Sequence, residues 1–245
     1  MSTNPIIVIP ARMDSQRLPG KPLADIHGEP MIAHVWQRAV ESGVGPVLVA
    51  CADADIAKAI SAIGGEAVMT RPDHVSGSDR VFEAVRAVDP DCSHDAVINL
   101  QGDLPTIADE VIAGVLRPLD EPDVDIGTVA CKITEESERD DPNVVKAVVS
   151  FAPRATMGRA LYFTRAMAPS GDGPLLHHIG VYAFRRAALQ QFVSLPPAPL
   201  EAREKLEQLR ALEAGMRIDV ALVDTLPLGV DTPADLERAR AILAP

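Results

Sequence analysis

The sequence predicts an α/β fold built on a doubly wound, mainly parallel sheet, with a smaller α+β extension. Three observations point there. Buried strand patterns alternate with helical patterns through the first hundred residues, 47% of the 245 residues are hydrophobic, and a strand pattern followed by a helical one returns after Ile218. A chain of this size and apolar content buries a sizeable core. We take residues 1–245 as a single domain, with the extension at approximately 151–215.

Ile6-Ile7-Val8-Ile9 is a continuous apolar run of strand length. Pro10 and the Pro19-Gly20 turn then keep the following segment out of regular structure. Met31, Ile32, Val35, Trp36 and Ala39 fall at helical spacing behind Pro30. Val47–Cys51 is the second strand, Asp53 is placed to cap a helix over Ile56–Ile63, and Glu66–Met69 is the third strand. Ser76 or Ser78 opens a helix carrying Val81, Val85 and Val88, and Ala96–Leu100 forms a fourth strand that runs into Gln101-Gly102-Asp103.

The second half is less regular. Strands are expected at Ile126–Ile133, Val144–Val149, Leu161–Phe163 and Ile179–Phe184. One helix, with Leu200, Leu206, Leu209 and Leu212 on one side, should end near Gly215. Ile218–Val223 is the last strand, and Pro233 opens a final helix to Leu243.

With 23 Lys and Arg against 35 Asp and Glu, the formal charge is −12. This excludes a broad nucleic-acid surface and a polybasic membrane contact. Aromatic residues make up 3% of the chain, too few for base-stacking platforms. No apolar run approaches the roughly 20 residues that span a bilayer, and no signal-peptide pattern precedes the first strand, so a cytoplasmic location is expected. Cys51, Cys92 and Cys131 form neither a zinc pattern nor a disulfide framework and read as small buried hydrophobes. His177 and His178 lack further ligands at metal-binding spacing.

Against this acidic background, Arg12-Met13-Asp14-Ser15-Gln16-Arg17-Leu18-Pro19-Gly20-Lys21-Pro22 carries three cations on one turn-rich loop. Open α/β sheets bind ligands beyond the carboxyl ends of their strands, so this loop is placed to meet a triphosphate, with a solvated basic loop as the open alternative. Phosphoryl and nucleotidyl transfer also need carboxylates for Mg²⁺. Asp103 follows a buried strand directly and precedes Pro105, where a turn or helix-capping role is equally open. Asp231 stands before the last helix, where a helix-capping role is equally open. Thr70–Arg80 is polar and turn-rich, open both to a base and ribose and to an ordinary connection.

These segments occur together and in order: Ile9-Pro10-Ala11-Arg12, Arg17-Leu18-Pro19-Gly20-Lys21-Pro22-Leu23, Pro30-Met31-Ile32, Thr70–Gly77, Gln101-Gly102-Asp103 and Gly229-Val230-Asp231-Thr232-Pro233. In that combination the chain resembles the 3-deoxy-manno-octulosonate cytidylyltransferase family, from Ile6 to Leu243. The resemblance implies a nucleotide-diphospho-sugar transferase-like, Rossmann-like fold. It also implies transfer of CMP from CTP to the eight-carbon acid sugar Kdo, with Mg²⁺ as cofactor and a homodimer as assembly.

By the same resemblance, Arg12 and Lys21 bind the CTP phosphates, and Pro10 and Ala11, with His74, Ser76 and Arg80, hold the cytidine. Asp103 and Asp231 ligate Mg²⁺. Gln101, Arg165, His178, Glu207 and Gln208 take the sugar. Arg12, Lys21, Asp103 and Asp231 form the catalytic set, and Arg17 is left as a cation that braces the loop. The chain departs from the family at Leu104, Ser78-Asp79 and His177, where Glu, Thr-Glu and Arg are common, and Ala168–Leu175 is short. The competing readings are a cytidylyltransferase for another acid sugar, such as 8-amino-Kdo or a nonulosonate, and a non-catalytic nucleotide-binding protein.

Overall fold

A computed structural model describes residues 3–15 and 17–244; Gln16 of the basic loop lies outside the described residues. The chain divides into two compact units, one of which runs to Ala113 and resumes at Pro227, while the other spans Gly114–Leu226.

The first unit begins with β1 (Pro5–Ala11), a short hairpin of β2 (Asp25–Ile26) and β3 (Glu29–Pro30), and α1 (Met31–Glu41). It continues through β4 (Val47–Cys51), α2 (Ala54–Ala62), β5 (Glu66–Met69), α3 (Gly77–Val88), β6 (Ala96–Asn99) and α4 (Asp109–Gly114). Its strands lie in the order β5-β4-β1-β6, every neighbouring pair parallel. Ile7, Val8 and Ile9 of β1 are fully buried, as the unbroken apolar run predicts for a central parallel strand. All four strands therefore aim their carboxyl ends the same way, which sets where a ligand can be held.

Capping differs from the sequence expectation in two places. Asp53 occupies the N-cap position of α2 without a side-chain cap hydrogen bond; its Oδ2 accepts instead from Met13 N at 3.1 Å and fastens the basic loop. Between the two serines, Ser76 is the cap of α3, its hydroxyl accepting from Asp79 N at 3.2 Å.

The second unit contains β7 (Ile126–Lys132), α5 (Glu136–Arg139), β8 (Lys146–Phe151), β9 (Met157–Thr164), β10 (Leu176–Arg185) and α6 (Arg186–Ser194). It ends with α7 (Pro199–Glu204), α8 (Gln208–Glu213) and β11 (Ile218–Leu222). Its sheet is mixed, in the order β10-β7-β11-β9-β8, and β10 also meets β8 where His177 faces Lys146. The unit is wider than the expected extension at 151–215 because β7 and β11, which flank that interval, pair in parallel inside this sheet.

The single helix expected over Leu200–Leu212 is two. Lys205 takes a left-handed conformation, φ 58°, and ends α7. Arg165 completes the break: its Nε donates to the Glu204 carbonyl at 2.8 Å and Nη2 to the Lys205 carbonyl at 3.5 Å, satisfying helix-end carbonyls. Cys92 also departs from expectation, for it is exposed in a left-handed turn after α3, whereas Cys51 and Cys131 are buried.

The chain returns to the first unit with α9 (Pro233–Ile242). Val230, Leu236 and Ala239 join Ile26 and Met31 in one apolar cluster, which anchors the segment leading into α9.

Candidate active site

A cavity of about 530 Å³ opens in the first unit, within the range of small-molecule sites. Its wall includes Pro10, Ala11 and Arg12 from the end of β1, Lys21 from the loop, His74, Ser76 and Arg80 at the start of α3, Gln101 and Asp103 after β6, and Asp231. Every residue assigned to phosphate, cytidine or metal from the sequence therefore lines one cavity.

The two aspartates meet because backbone bonds align their segments. Val230 N donates to the Asp103 carbonyl at 2.9 Å, and Leu228 N donates to Thr106 Oγ1 at 2.9 Å. Thr232, not Asp231, caps α9, with Asp235 returning the bond in a capping box, so the Asp231 carboxylate is left for the cavity. Lys21 Nζ donates to Asp103 Oδ2 at 2.8 Å and to Asp231 Oδ1 at 3.1 Å. Those two distances, laid end to end, bound the separation of the carboxylate oxygens. Arg17 pairs with Asp231 Oδ2 at 2.9 Å, the bracing role its position suggested. Burial acts to lower the pKa of the Lys21 ammonium, but the pull of Asp103 and Asp231 prevails and raises it.

Close approach shapes the floor. A Cβ on Gly102 would stand 3.0 Å from the Pro10 carbonyl oxygen and 3.1 Å from Ile32 Cδ1, so the turn after β6 lies directly on the end of β1. That contact carries Gln101 and Asp103 to the cavity edge. Gln101 donates through Nε2 to Asn99 Oδ1 at 2.9 Å, and Leu104, the departure from the family pattern, is buried.

Arg12 and Arg80 make part of the wall cationic. Arg80 is buried and donates through Nη1 to Thr70 Oγ1 at 2.5 Å and to the Arg71 carbonyl at 3.2 Å. Burial first, and the charge of nearby Arg12 second, hold the Arg80 guanidinium below its usual pKa. Arg12 has no ion-pair partner among the described residues, and two guanidiniums placed together favour an anion.

The carboxylate pair suits a hard cation. Mg²⁺ is ordinarily held by one or two carboxylates together with substrate phosphate oxygens, and Asp103 and Asp231 are the residues that could fill the protein's part. Among the described residues no group of three His, Cys, Asp or Glu gathers into a cage that would bind a metal without a substrate.

The cytidylyltransferase family profile matches residues 6–218. A 3-deoxy-manno-octulosonate cytidylyltransferase of Paramagnetospirillum magneticum is 66% identical over 239 residues, 98% of this chain and 97% of its own. The chain belongs to the 3-deoxy-manno-octulosonate cytidylyltransferase family. It is thus a nucleotidyltransferase. Another member, from Rhodospirillum centenum, is 68% identical over 242 residues, 99% of this chain and 94% of its own. A solved CMP:2-keto-3-deoxy-manno-octonic acid synthetase complexed with CTP is 42% identical, with a TM-score of 0.90 over 99% of each chain. The 4-diphosphocytidyl-2C-methyl-D-erythritol synthase of Anaerococcus prevotii, at 12% identity and a TM-score of 0.65 over 99% of each chain, shares the fold alone. An α/β architecture of mostly parallel strands is common to the group.

Of the residues assigned to the sugar in this cytidylyltransferase, Gln101 lines the cavity, whereas Arg165, His178, Glu207 and Gln208 belong to the second unit. Besides the end of α7, Arg165 donates through Nη1 to the Pro142 carbonyl at 2.8 Å. Gln208 is buried at the start of α8, and the nearby Glu207 carboxylate adds to burial in raising the Tyr182 pKa. His178 is buried, shares a hydrogen bond with Thr128 Oγ1 at 3.0 Å, and packs its ring 4.6 Å from Phe163 and 5.5 Å from Tyr182.

Burial, aided by neighbouring His177, pushes the His178 imidazole down to about 3. The unfolded chain takes up this proton near the ordinary histidine value and the folded chain does not. The stability His178 contributes is therefore present above about pH 6.5 and lost as pH falls from there toward 3. Between pH 7 and pH 5, wild type should lose about 2 kcal/mol more than His178→Gln, read from urea unfolding at both pH values. Equal losses would contradict a buried neutral ring.

The sequence reading missed Glu83. It accepts from Arg71 N at 3.2 and 3.4 Å and pairs with His74 Nε2. Its position three residues after Arg80, on one face of α3, is the signal that links it to the Thr70–Ser76 loop.

Proposed function

We propose that this chain transfers CMP from CTP to 3-deoxy-manno-octulosonate, releasing diphosphate and activating the sugar for lipopolysaccharide assembly. The observation that carries the reading is the meeting of Asp103, Asp231 and Lys21 in a cavity that Arg12 and Arg80 also line. A related synthetase, 42% identical, has been solved with CTP.

A hydroxyl oxygen of the sugar attacks the α-phosphorus, and the bond from that phosphorus to the bridging oxygen breaks in line, freeing diphosphate. Arg12 and Lys21 bind the triphosphate and steady its charge as it moves to the leaving group. The backbone at Pro10 and Ala11, with His74, Ser76 and Arg80, orients the nucleoside. Asp103 and Asp231 hold Mg²⁺, which when bound neutralises phosphate charge and eases ionisation of the attacking hydroxyl. Gln101 lines the cavity, and Arg165, His178, Glu207 and Gln208 are proposed for the acid sugar on the family pattern alone. The working form is proposed to be a cytoplasmic homodimer.

Diphosphate release is the test, measured with CTP and each of Kdo, its 8-amino analogue and a nonulosonate, then with the other nucleoside triphosphates and Kdo. Kdo with CTP should give the highest kcat/KM. Preference for another sugar would overturn the acceptor, and no release with any pair would overturn the reaction.

A further inference from the structure

The Glu83 carboxylate lies outside the set assigned to CTP, yet it joins two parts of the loop that borders the cavity. It accepts from Arg71 N at the loop's start and from Nε2 of His74, whose side chain is 7% exposed and lines the wall. From the same helix, Arg80 grips Thr70 Oγ1 and the Arg71 carbonyl. Loop position is therefore fixed twice, and of these two anchors it is Glu83 that bonds to the imidazole.

A carboxylate accepts and does not donate, so the bond requires the hydrogen on Nε2. In a neutral ring the other nitrogen, Nδ1, is then a lone-pair acceptor, and which nitrogen plays which part is set by the partner of the first. Cytosine offers an exocyclic amine donor at its 4-position, where uracil offers a carbonyl acceptor. An acceptor on the wall attracts the first and repels the second.

We propose that Glu83 is a positioning residue for nucleotide choice: by holding the hydrogen of His74 on Nε2, it presents Nδ1 as an acceptor that favours the cytosine amine over the uracil carbonyl. This rests on the reading of the cavity as the cytidine site, and the tests below need no sugar acceptor. A failure of CMP transfer is therefore distinguishable from a failure here.

The first measurement is ¹⁵N NMR of histidine-labelled wild type at pH 8, with the His74 signals identified by their loss in His74→Gln. Protonated Nε2 and bare Nδ1 are expected; a proton on Nδ1 overturns the proposal. The second is calorimetric binding of CTP and UTP to wild type, Glu83→Gln and Glu83→Ala. The amide oxygen of Gln can still accept from Nε2, so Glu83→Gln should keep most of the preference for CTP. Glu83→Ala should lose about 10-fold or more of it, the scale on which orienting partners act. If Glu83→Ala weakens CTP and UTP alike and leaves their ratio unchanged, Glu83 only holds the loop and the proposal falls. It also falls if wild type fails to prefer CTP.

Discussion

Replacing Asp103 by Asn is expected to lower turnover of CTP by about 10²–10³-fold, the loss seen when one preorganised electrostatic group is removed, while the fold survives. Asn is close to isosteric, and the bond that aligns the site, from Val230 N to the residue 103 carbonyl, uses backbone alone. What disappears is one negative charge. The Asp103 side chain is 31% exposed, so its ion pair with Lys21 contributes under about 1 kcal/mol to stability. The same carboxylate is half of the proposed Mg²⁺ ligand pair. Turnover and urea midpoint measured on one preparation separate the two effects. An unchanged rate would remove Asp103 from the catalytic set, and a collapsed midpoint would make its role structural.

Legibility followed the range of the interaction. Core strands such as Ile6–Ile9 and Val47–Cys51 announce themselves through local apolar runs, and the structure extends β1 only to Pro5–Ala11. The break between α7 and α8 was hidden because its cause, the Arg165 guanidinium, reaches from β9's end some forty residues away. Capping went the same way: Asp53 suits an N-cap locally, but the Met13 amide claims its carboxylate. The meeting of Asp103 and Asp231 depends on a backbone bond across more than a hundred residues, and it was reachable only through the ordered family motifs. Glu83 has no motif of its own. Its chemistry exists only once α3 lies beside the Thr70–Ser76 loop.

Lys21→Met should prove the most informative substitution, because Lys21 serves two charge groups. For the nucleotide it is a phosphate donor, so CTP turnover should fall by about 10²–10³-fold with a raised KM. For the free protein it is the cation shared by Asp103 and Asp231, with a side chain only 16% exposed. Met keeps the length and the apolar stem but leaves two carboxylates facing each other, with Arg17 against Asp231 alone. Like charges in that position oppose the folded state, so the variant should be less stable than wild type. At pH 8 a loss of about 1 kcal/mol is expected, the upper end for ion pairs whose carboxylates are 31% and 46% exposed. Millimolar Mg²⁺ should recover more stability in Lys21→Met than in wild type, where the ammonium already occupies the carboxylates' reach. Thermal unfolding at pH 8, with and without Mg²⁺, reads all of this without any turnover. Equal Mg²⁺ responses in the two proteins would mean that Lys21 and the metal do not share a site.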